Sequence, residues 1–213
     1  MKKVICLCAL SVICTVLFFV AVKHIPYMSA RLFDVPSRYW LHRVNSPERF
    51  NEAIQFFTGV ELDIIYHEKE KKFENSHDPE DLSQYDLEET LKMYSNQEMS
   101  IGIWFDFKNL TEDNAEDSMN VLDDLLKKYG ISKQNCIVES KNWQNLGVFK
   151  NGGYRTSYYV TFISDDHDGP NAKDRQRISD IAHSGNVSFV SFGCEVYDFI
   201  STIEFPEYVK LLT

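Results

Sequence analysis

The sequence lacks the features that mark three common classes of protein. It carries 22 basic against 32 acidic side chains, a formal net charge of -10. A general nucleic-acid binder needs the opposite balance, because the phosphate backbone requires a basic footprint. The five cysteines show no zinc-site spacing. The acidic run Asp165–Gly169 lacks the ligand spacing of an EF-hand, so we interpret it as a solvated turn.

Charged side chains are also missing from a stretch near the N-terminus. Residues 4–22 carry none, and they follow Met1-Lys2-Lys3. At about 1.5 Å rise per residue, such a helix nearly spans the roughly 30 Å hydrocarbon core of a bilayer. No small-residue cleavage site follows, so residues 1–23 are predicted to be a transmembrane signal anchor, with a cleaved signal peptide as the alternative. Lys2 and Lys3 favour a cytoplasmic N-terminus. We therefore expect a single-pass protein of the cell membrane with its folded domain on the extracytoplasmic side.

The remainder divides into a polar linker, residues 24–37, and one folded domain, residues 38–213, in which strands and helices alternate. Strands are predicted at residues 38–44, 59–66, 101–107, 134–139, 156–163 and 187–192. Helices are predicted to begin at Ser46-Pro47 and to cover residues 86–96, 111–129 and 172–182. Such alternation implies parallel strands joined by right-handed crossovers. We predict an α/β fold, a (β/α) TIM-type barrel with six recognisable strands, incomplete relative to a closed eight-stranded barrel. The tail after Glu195 has room for a helix and one short strand.

Two carboxylates placed two residues apart are the most informative feature of the chain. Glu61 and Asp63 lie in the apolar run Gly59–Tyr66, and residues i and i+2 of a strand project from the same face. Two such close anions repel unless one takes up a proton or both share a cation. A divalent ion with oxygen ligands, Mg²⁺ or Ca²⁺, would neutralise both. The alternative is a pair of acids on a solvated strand face.

Polar groups lie at or after the ends of three successive predicted strands: His42-Arg43, His77-Asp78, and Asp106 with Lys108. Active sites of such barrels form at the C-terminal ends of the strands, so we expect these groups to converge. Each also has a plain alternative. His42 could be packed at a strand end, His77 could be exposed in a loop, and Asp106 with Lys108 could form a structural ion pair. Glu139, at the end of the fourth strand, is a further polar group expected near the site.

The motifs in this order resemble those of the glycerophosphodiester phosphodiesterase family, within the phosphatidylinositol phospholipase C-like superfamily of barrels. The four motifs are His42-Arg43, Glu61-x-Asp63, His77-Asp78 and Asp106-x-Lys108. The segments His42–Ser46 and Trp104–Lys108 are also similar to the menorin-type branch. The resemblance covers about residues 38 to 110. Three features depart from the phosphodiesterase pattern: Val44 replaces the glycine after His-Arg, Asp106 stands where glutamate is usual, and Lys69-Glu70-Lys71-Lys72 replaces the Asp-Gly turn before His-Asp.

The resemblance implies metal-dependent hydrolysis of a phosphodiester, either glycerophosphodiester-like or a lipid headgroup. It implies the following roles: His42 and His77 as catalytic acid and base, Arg43 and Lys108 as substrate-phosphate ligands, and Glu61, Asp63 and Asp106 as ligands of Mg²⁺ or Ca²⁺. The expected partners are this small substrate and the membrane, through the N-terminal helix, with no nucleic acid. The alternative is a non-catalytic, membrane-anchored barrel that binds a cell-surface ligand.

Overall fold

The computed structural model describes residues 39–78, 85–95, 101–162 and 170–213. Within these ranges one sheet has the strand order β2-β1-β3-β4-β5-β6-β7. Its strands are β1 (Gly59–His67), β2 (Lys72–Asn75), β3 (Gly102–Phe107), β4 (Cys136–Ser140), β5 (Arg155–Tyr159), β6 (Phe189–Ser191) and β7 (Lys210–Leu212). The β1–β2 hairpin is antiparallel and every other neighbouring pair is parallel.

Helices connect most of the parallel strands, as expected for right-handed crossovers. They are α1 (Pro47–Ala53), α2 (Leu87–Ser95), α3 (Glu112–Lys128), α4 (Leu146–Asn151), α5 (Ala172–His183) and α6 (Tyr197–Ile200). Two predicted helix starts are confirmed. The Ser46 hydroxyl caps α1, with Pro47 at its first turn. Thr111 forms a reciprocal capping box with Asn114 at the start of α3.

The two faces of the sheet differ in chemistry, as β1 illustrates. Val60, Leu62 and Ile64 are fully buried and belong to the main hydrophobic core, which also contains buried side chains of the helices. Glu61 and Asp63 alternate with them and therefore project from the opposite face. They are 4% and 0% exposed, so the alternative of a solvated strand face is wrong. The sheet thus has an apolar side under the helices and a polar inner side.

The inner side is partly filled by a second apolar cluster of Trp104, Ile137 and Phe189. Trp40, from the segment before α1, and Leu212, from the last strand, both pack against it. Side chains from both ends of the described domain therefore meet inside the curved sheet. Among the described residues no backbone hydrogen bond joins β7 to the segment around Leu41. The architecture is an α/β fold with a mostly parallel sheet, consistent with a TIM-like barrel.

The strand predicted at residues 38–44 is wrong as a regular strand. Within residues 39–44, Leu41 forms an isolated parallel bridge with Val60, and the Val44 N–H donates to the Glu61 carbonyl over 2.9 Å. The reason is the backbone of Arg43, whose φ of 55° lies in the left-handed region. A strand requires negative φ at every position, so the extended geometry stops there.

The sheet has one more strand than the six that were predicted. β2 and β7 were not among the six, although β7 lies in the tail that had room for a short strand. Both are only three or four residues long, and β2 follows a charged turn after β1. The short helix α4 was also missed. The sequences of these elements carry little periodicity, so their secondary structure could not be predicted from sequence alone. Their formation depends on contacts with neighbouring elements.

No helix in the four described ranges is both long and apolar enough to cross a bilayer. The predicted anchor at residues 1–23, the linker at residues 24–37 and the acidic turn Asp165–Gly169 all lie outside the described residues.

Candidate active site

A cavity of about 610 Å³ lies at the C-terminal ends of the strands. Its walls contain all seven residues predicted for the site: His42, Arg43, Glu61, Asp63, His77, Asp106 and Lys108. Glu139, the additional polar group expected nearby, lines the same cavity. The fold therefore brings together residues that are spread over most of the first half of the chain.

Strand register brings the three carboxylates together. β1 and β3 are parallel, with Asp63 directly opposite Asp106. Glu61 shares the face of Asp63 because the two are two residues apart on one strand. One oxygen from each of the three carboxylates lies within 4.8 Å of the others. Such close anions are unfavourable unless a proton or a cation offsets their charge.

Lys108 offsets part of this charge. Its Nζ lies 2.6 Å from Asp63 Oδ1, and it also pairs with Asp106 Oδ2. Burial lowers the pKa of Lys108, but the two carboxylates outweigh burial and hold its pKa above the usual value. The ion pair of Asp106 with Lys108, given above as an alternative, is therefore present. Lys108 pairs with Asp63 as well, so the three residues form one charged cluster.

The remaining charge and the free oxygens fit a divalent cation. Burial and then the nearby Asp63 raise the pKa of Glu61 to about 8, and burial raises the pKa of Asp106. With Lys108 charged, ionisation of all three carboxylates would leave a net charge of -2. Asp63 Oδ1 is buried without a hydrogen bond of good geometry, although Lys108 Nζ lies 2.6 Å from it. An all-oxygen set of this charge suits Mg²⁺ or Ca²⁺.

Both predicted histidines line the cavity. His42 Nδ1 is 3.6 Å from Glu61 Oε2, too long for a hydrogen bond, and its ring centroid lies 5.5 Å from that of Trp104. The His42 side chain is 58% exposed, so the alternative of a packed histidine is wrong. Partial burial lowers the pKa of His42, against the opposing effect of Asp106 and Asp63.

His77 contacts Arg43 rather than a carboxylate. Its Nε2 lies 3.1 Å from Arg43 Nη2. A guanidinium can only donate, so His77 Nε2 accepts and carries no proton in this arrangement. The alternative stated above was that His77 is simply exposed in a loop. His77 does lie in a loop, and its contact with Arg43 holds the ring at the cavity.

Asn45, which contacts a carboxylate of the site, was not predicted. Its Oδ1 accepts from the Asp63 N–H over 2.9 Å, and its Nδ2 donates to Asp63 Oδ2 over 2.6 Å. Asn45 follows His42-Arg43-Val44, so its position in that segment was a usable signal. An asparagine after an apolar residue has many possible roles, however, and the sequence does not disclose its partner.

The half of the cavity formed by β4, β5 and β6 was also largely missed. It is lined by Glu139, Lys141, Tyr159, Thr161, Ser191 and Phe192. Glu139 lies opposite Asp106 in register and accepts from the hydroxyls of Ser157, over 2.7 Å, and Ser191. Burial and then Asp106 raise the pKa of Glu139 to about 8. Glu139 is thus a buried acid beside the carboxylate triad.

These features define a class of protein: a mostly parallel α/β sheet with a cluster of three carboxylates, two imidazoles and an arginine at the C-terminal strand ends. No protein-family model matches the chain, and no curated protein matches it in sequence. Solved structures do match in fold. One is a protein from Silicibacter pomeroyi DSS-3 assigned as a glycerophosphoryl diester phosphodiesterase, with a TM-score of 0.59 and 12% identity over 84% of this chain and 83% of that one.

Two further structures agree. A glycerophosphodiester phosphodiesterase from Parabacteroides distasonis gives a TM-score of 0.55 with 14% identity, covering 79% of this chain and 76% of that one. A phosphodiesterase from Oleispira antarctica, solved with the product sn-glycerol-3-phosphate, gives 0.52 with 14% identity, covering 82% and 83%. At such identities the likeness shows a shared fold. The predicted resemblance is therefore confirmed at the level of the fold.

Proposed function

We propose that this protein is a divalent-cation-dependent hydrolase of phosphodiesters, acting on a glycerophosphodiester-like or lipid-headgroup substrate. The observation that carries the proposal is the convergence of three carboxylates, two histidines and Arg43 on one cavity. The fold shared with phosphodiesterase structures supports it, as does the glycerol phosphate bound in the Oleispira antarctica protein.

Phosphodiester cleavage requires charge neutralisation on the non-bridging oxygens. In the proposal, the Arg43 guanidinium binds two of these oxygens through its planar fork of donors. Lys108 lies beside Asp63 and Asp106 and adds positive charge. Glu61, Asp63 and Asp106 would hold the divalent cation, which when bound supplies Lewis-acid stabilisation of the phosphoryl group.

The reaction also needs one group that removes a proton and one that returns it. We assign the base to His42, because partial burial lowers its pKa and keeps the ring neutral. We assign the acid to His77. Its Nε2 is occupied by Arg43 in this structure and becomes free to carry a proton when the guanidinium turns to the substrate phosphate. Such acid–base pairs contribute typically about 10²- to 10⁴-fold in rate.

The test uses the full chain in detergent with bis(p-nitrophenyl) phosphate and a panel of glycerophosphodiesters, with Mg²⁺ or Ca²⁺ and with chelator. We expect turnover that chelator abolishes and that His42→Ala or Glu61→Ala lowers at least about 100-fold. His183→Ala is the matched control, because His183 is exposed at the end of α5. A folded protein with no turnover on any substrate would favour the non-catalytic, ligand-binding alternative.

We also propose that the apolar segment at residues 4–22 anchors the domain in the cell membrane with the cavity on the extracytoplasmic side. The support is its length and its lack of charge. A reporter enzyme fused after residue 213 should be active only outside the cytoplasm. Reporter activity confined to the cytoplasmic side would overturn this orientation.

A further inference from the structure

We propose that Asn45 is a positioning residue of the cation site, which holds one oxygen of Asp63 on the protein and leaves the other for the ion. The inference rests on the cation site of the proposed function. It concerns a residue outside the predicted ligand set and predicts its effect on ion affinity.

The geometry of Asn45 fixes both the backbone and the side chain of Asp63. One amide group accepts from the Asp63 N–H over 2.9 Å and donates to Asp63 Oδ2 over 2.6 Å. The oxygen and the nitrogen of the Asn45 side-chain amide both bond to Asp63, so the Asp63 carboxylate cannot rotate without breaking a hydrogen bond. Asp63 Oδ1 is left without a hydrogen bond of its own, 2.6 Å from Lys108 Nζ, and Asp63 contributes one oxygen to the cluster with Glu61 and Asp106.

A backbone N–H of the same segment holds one oxygen of Glu61. The Arg43 N–H donates to Glu61 Oε2 over 2.5 Å, and the left-handed φ of Arg43 redirects the chain just after this N–H. The segment from Arg43 to Asn45 therefore engages one oxygen of each carboxylate on β1. Only the Asn45 half of this arrangement can be removed by a side-chain substitution.

Lys108 is the reason why the orientation of the Asp63 carboxylate should affect cation binding. Its ammonium lies 2.6 Å from Asp63 Oδ1 and competes with any cation for this oxygen. While Asn45 holds Oδ2, Lys108 can reach only one Asp63 oxygen. Without Asn45 the carboxylate is free to turn both oxygens toward Lys108, which strengthens the internal ion pair and weakens cation binding. Partners of ligating carboxylates typically change metal affinity by about 10- to 100-fold.

The chain offers a matched control in Asn109. Its Oδ1 accepts from the Tyr66 N–H over 2.9 Å and its Nδ2 donates to the Tyr66 carbonyl over 2.9 Å. Asn109 thus makes a comparable pair of hydrogen bonds to another residue of β1, but both go to the backbone and neither goes to a carboxylate of the site. Removing either asparagine leaves a strand N–H without its partner, so both changes should lower the thermal stability of the ion-free protein.

The experiment titrates the full chain in detergent with Mg²⁺ alone and with Ca²⁺ alone, by calorimetry well below each unfolding midpoint. We expect Asn45→Ala to raise the Kd at least about tenfold, and Asn109→Ala to leave it within about twofold. Asn45→Ser is the second variant, in case the alanine variant does not fold, and should also weaken binding. In the activity assay, excess cation should restore turnover to Asn45→Ala, because the defect is in ion affinity.

The outcomes separate the two proposals. Wild-type protein that binds neither ion would refute the cation site itself. Wild-type binding with an unchanged Kd in a folded Asn45 variant would refute the positioning role and leave the site standing. Equal weakening in the Asn45 and Asn109 variants would also refute it, because the effect would then be a general loss of strand order.

Discussion

Arg43 combines two separate contributions at the scale of a single residue. Its backbone adopts φ 55° and donates to Glu61, whereas its side chain reaches His77. A non-glycine residue in the left-handed region costs roughly 1 kcal/mol. The phosphodiesterase pattern places a glycine immediately after His-Arg, and here that position is Val44, which is buried. The left-handed conformation therefore lies on Arg43 and not on the position that follows it.

Substitutions at Arg43 should separate these contributions. Arg43→Gly keeps the N–H and relieves the strain, whereas Arg43→Ala keeps the strain. We expect the glycine variant to be about 1 kcal/mol more stable to unfolding than the alanine variant. Both should lose phosphodiester turnover, since both lack the guanidinium. Denaturant unfolding and the activity assay check this. An alanine variant as stable as the glycine variant would argue against a left-handed Arg43.

Lys108 is the cation closest to two of the three carboxylates, and Lys108→Met tests its importance. The change leaves Asp63, which is fully buried, without its ion pair. Breaking a buried pair costs roughly 3 kcal/mol or more. We expect that loss in the ion-free protein and a larger stabilisation by Mg²⁺ or Ca²⁺ than in wild type, measured by thermal unfolding.

The control for that change is Lys128→Met. Lys128 pairs with Glu88 at the surface, where ion pairs contribute little. It should show neither effect. If the two lysine variants behaved alike, the cavity charges would not be coupled as described.

At the scale of elements, the sequence predicted what periodicity and capping encode. α3 was predictable because Thr111 caps it and apolar residues such as Leu122 and Leu126 recur on one face. β1 and β3 were predictable from their apolar runs, and the i, i+2 rule placed Glu61 beside Asp63. The proximity of Asp106 to Asp63 also required parallel neighbours in one register, which only the alternation of strands and helices suggested.

What escaped prediction depends on partners distant in sequence. The segment around Leu41 has strand-like composition, but the turn at Arg43 limits it to one bridge. β2 and β7 are short edge strands that pair with elements already formed. The role of Asn45 follows only from its contact with Asp63, eighteen residues away. The second half of the cavity has no dipeptide motif that could mark it.

The packing of Trp40 accounts for the glycines at the starts of β1 and β3. A Cβ at Gly59 would lie 2.1 Å from the Trp40 ring, and one at Gly102 would lie 2.3 Å from it. The indole therefore covers the beginnings of both strands. We expect Gly59→Ala to destabilise the protein by about 1–3 kcal/mol, because the ring must shift out of a packed position.

A double-mutant cycle measured by denaturant unfolding checks this explanation. In a Trp40→Ala background, Gly59→Ala should cost little, since the clash is gone. An undiminished cost would mean that the glycine is needed for a reason other than the indole.

For the whole molecule, the main electrostatic feature is the concentration of acids inside the sheet. Glu61, Asp63 and Glu139 are almost completely buried, and Asp106 lies among them. Lys108 pairs with Asp63 and Asp106, so the four acids together still oppose folding whenever they are ionised at the same time. The fold tolerates this because the outer face of the sheet is covered by an extensive apolar core. Cation binding should therefore stabilise the whole domain by mass action.

The acidic interior makes a definite prediction for pH dependence. The pKa values of Glu61 and Glu139 are raised from an ordinary 4.5 to about 8, so the folded state holds their protons more tightly than the unfolded state. Stability of the ion-free protein should therefore be highest near pH 5 and fall as the pH rises toward 8. Thermal unfolding with chelator across this range measures the slope. Glu139→Gln should flatten it, because the amide keeps the serine contacts without titrating, and saturating Mg²⁺ or Ca²⁺ should remove the share due to Glu61. Stability that rises between pH 5 and 8 without cation would contradict the assignment of both buried acids.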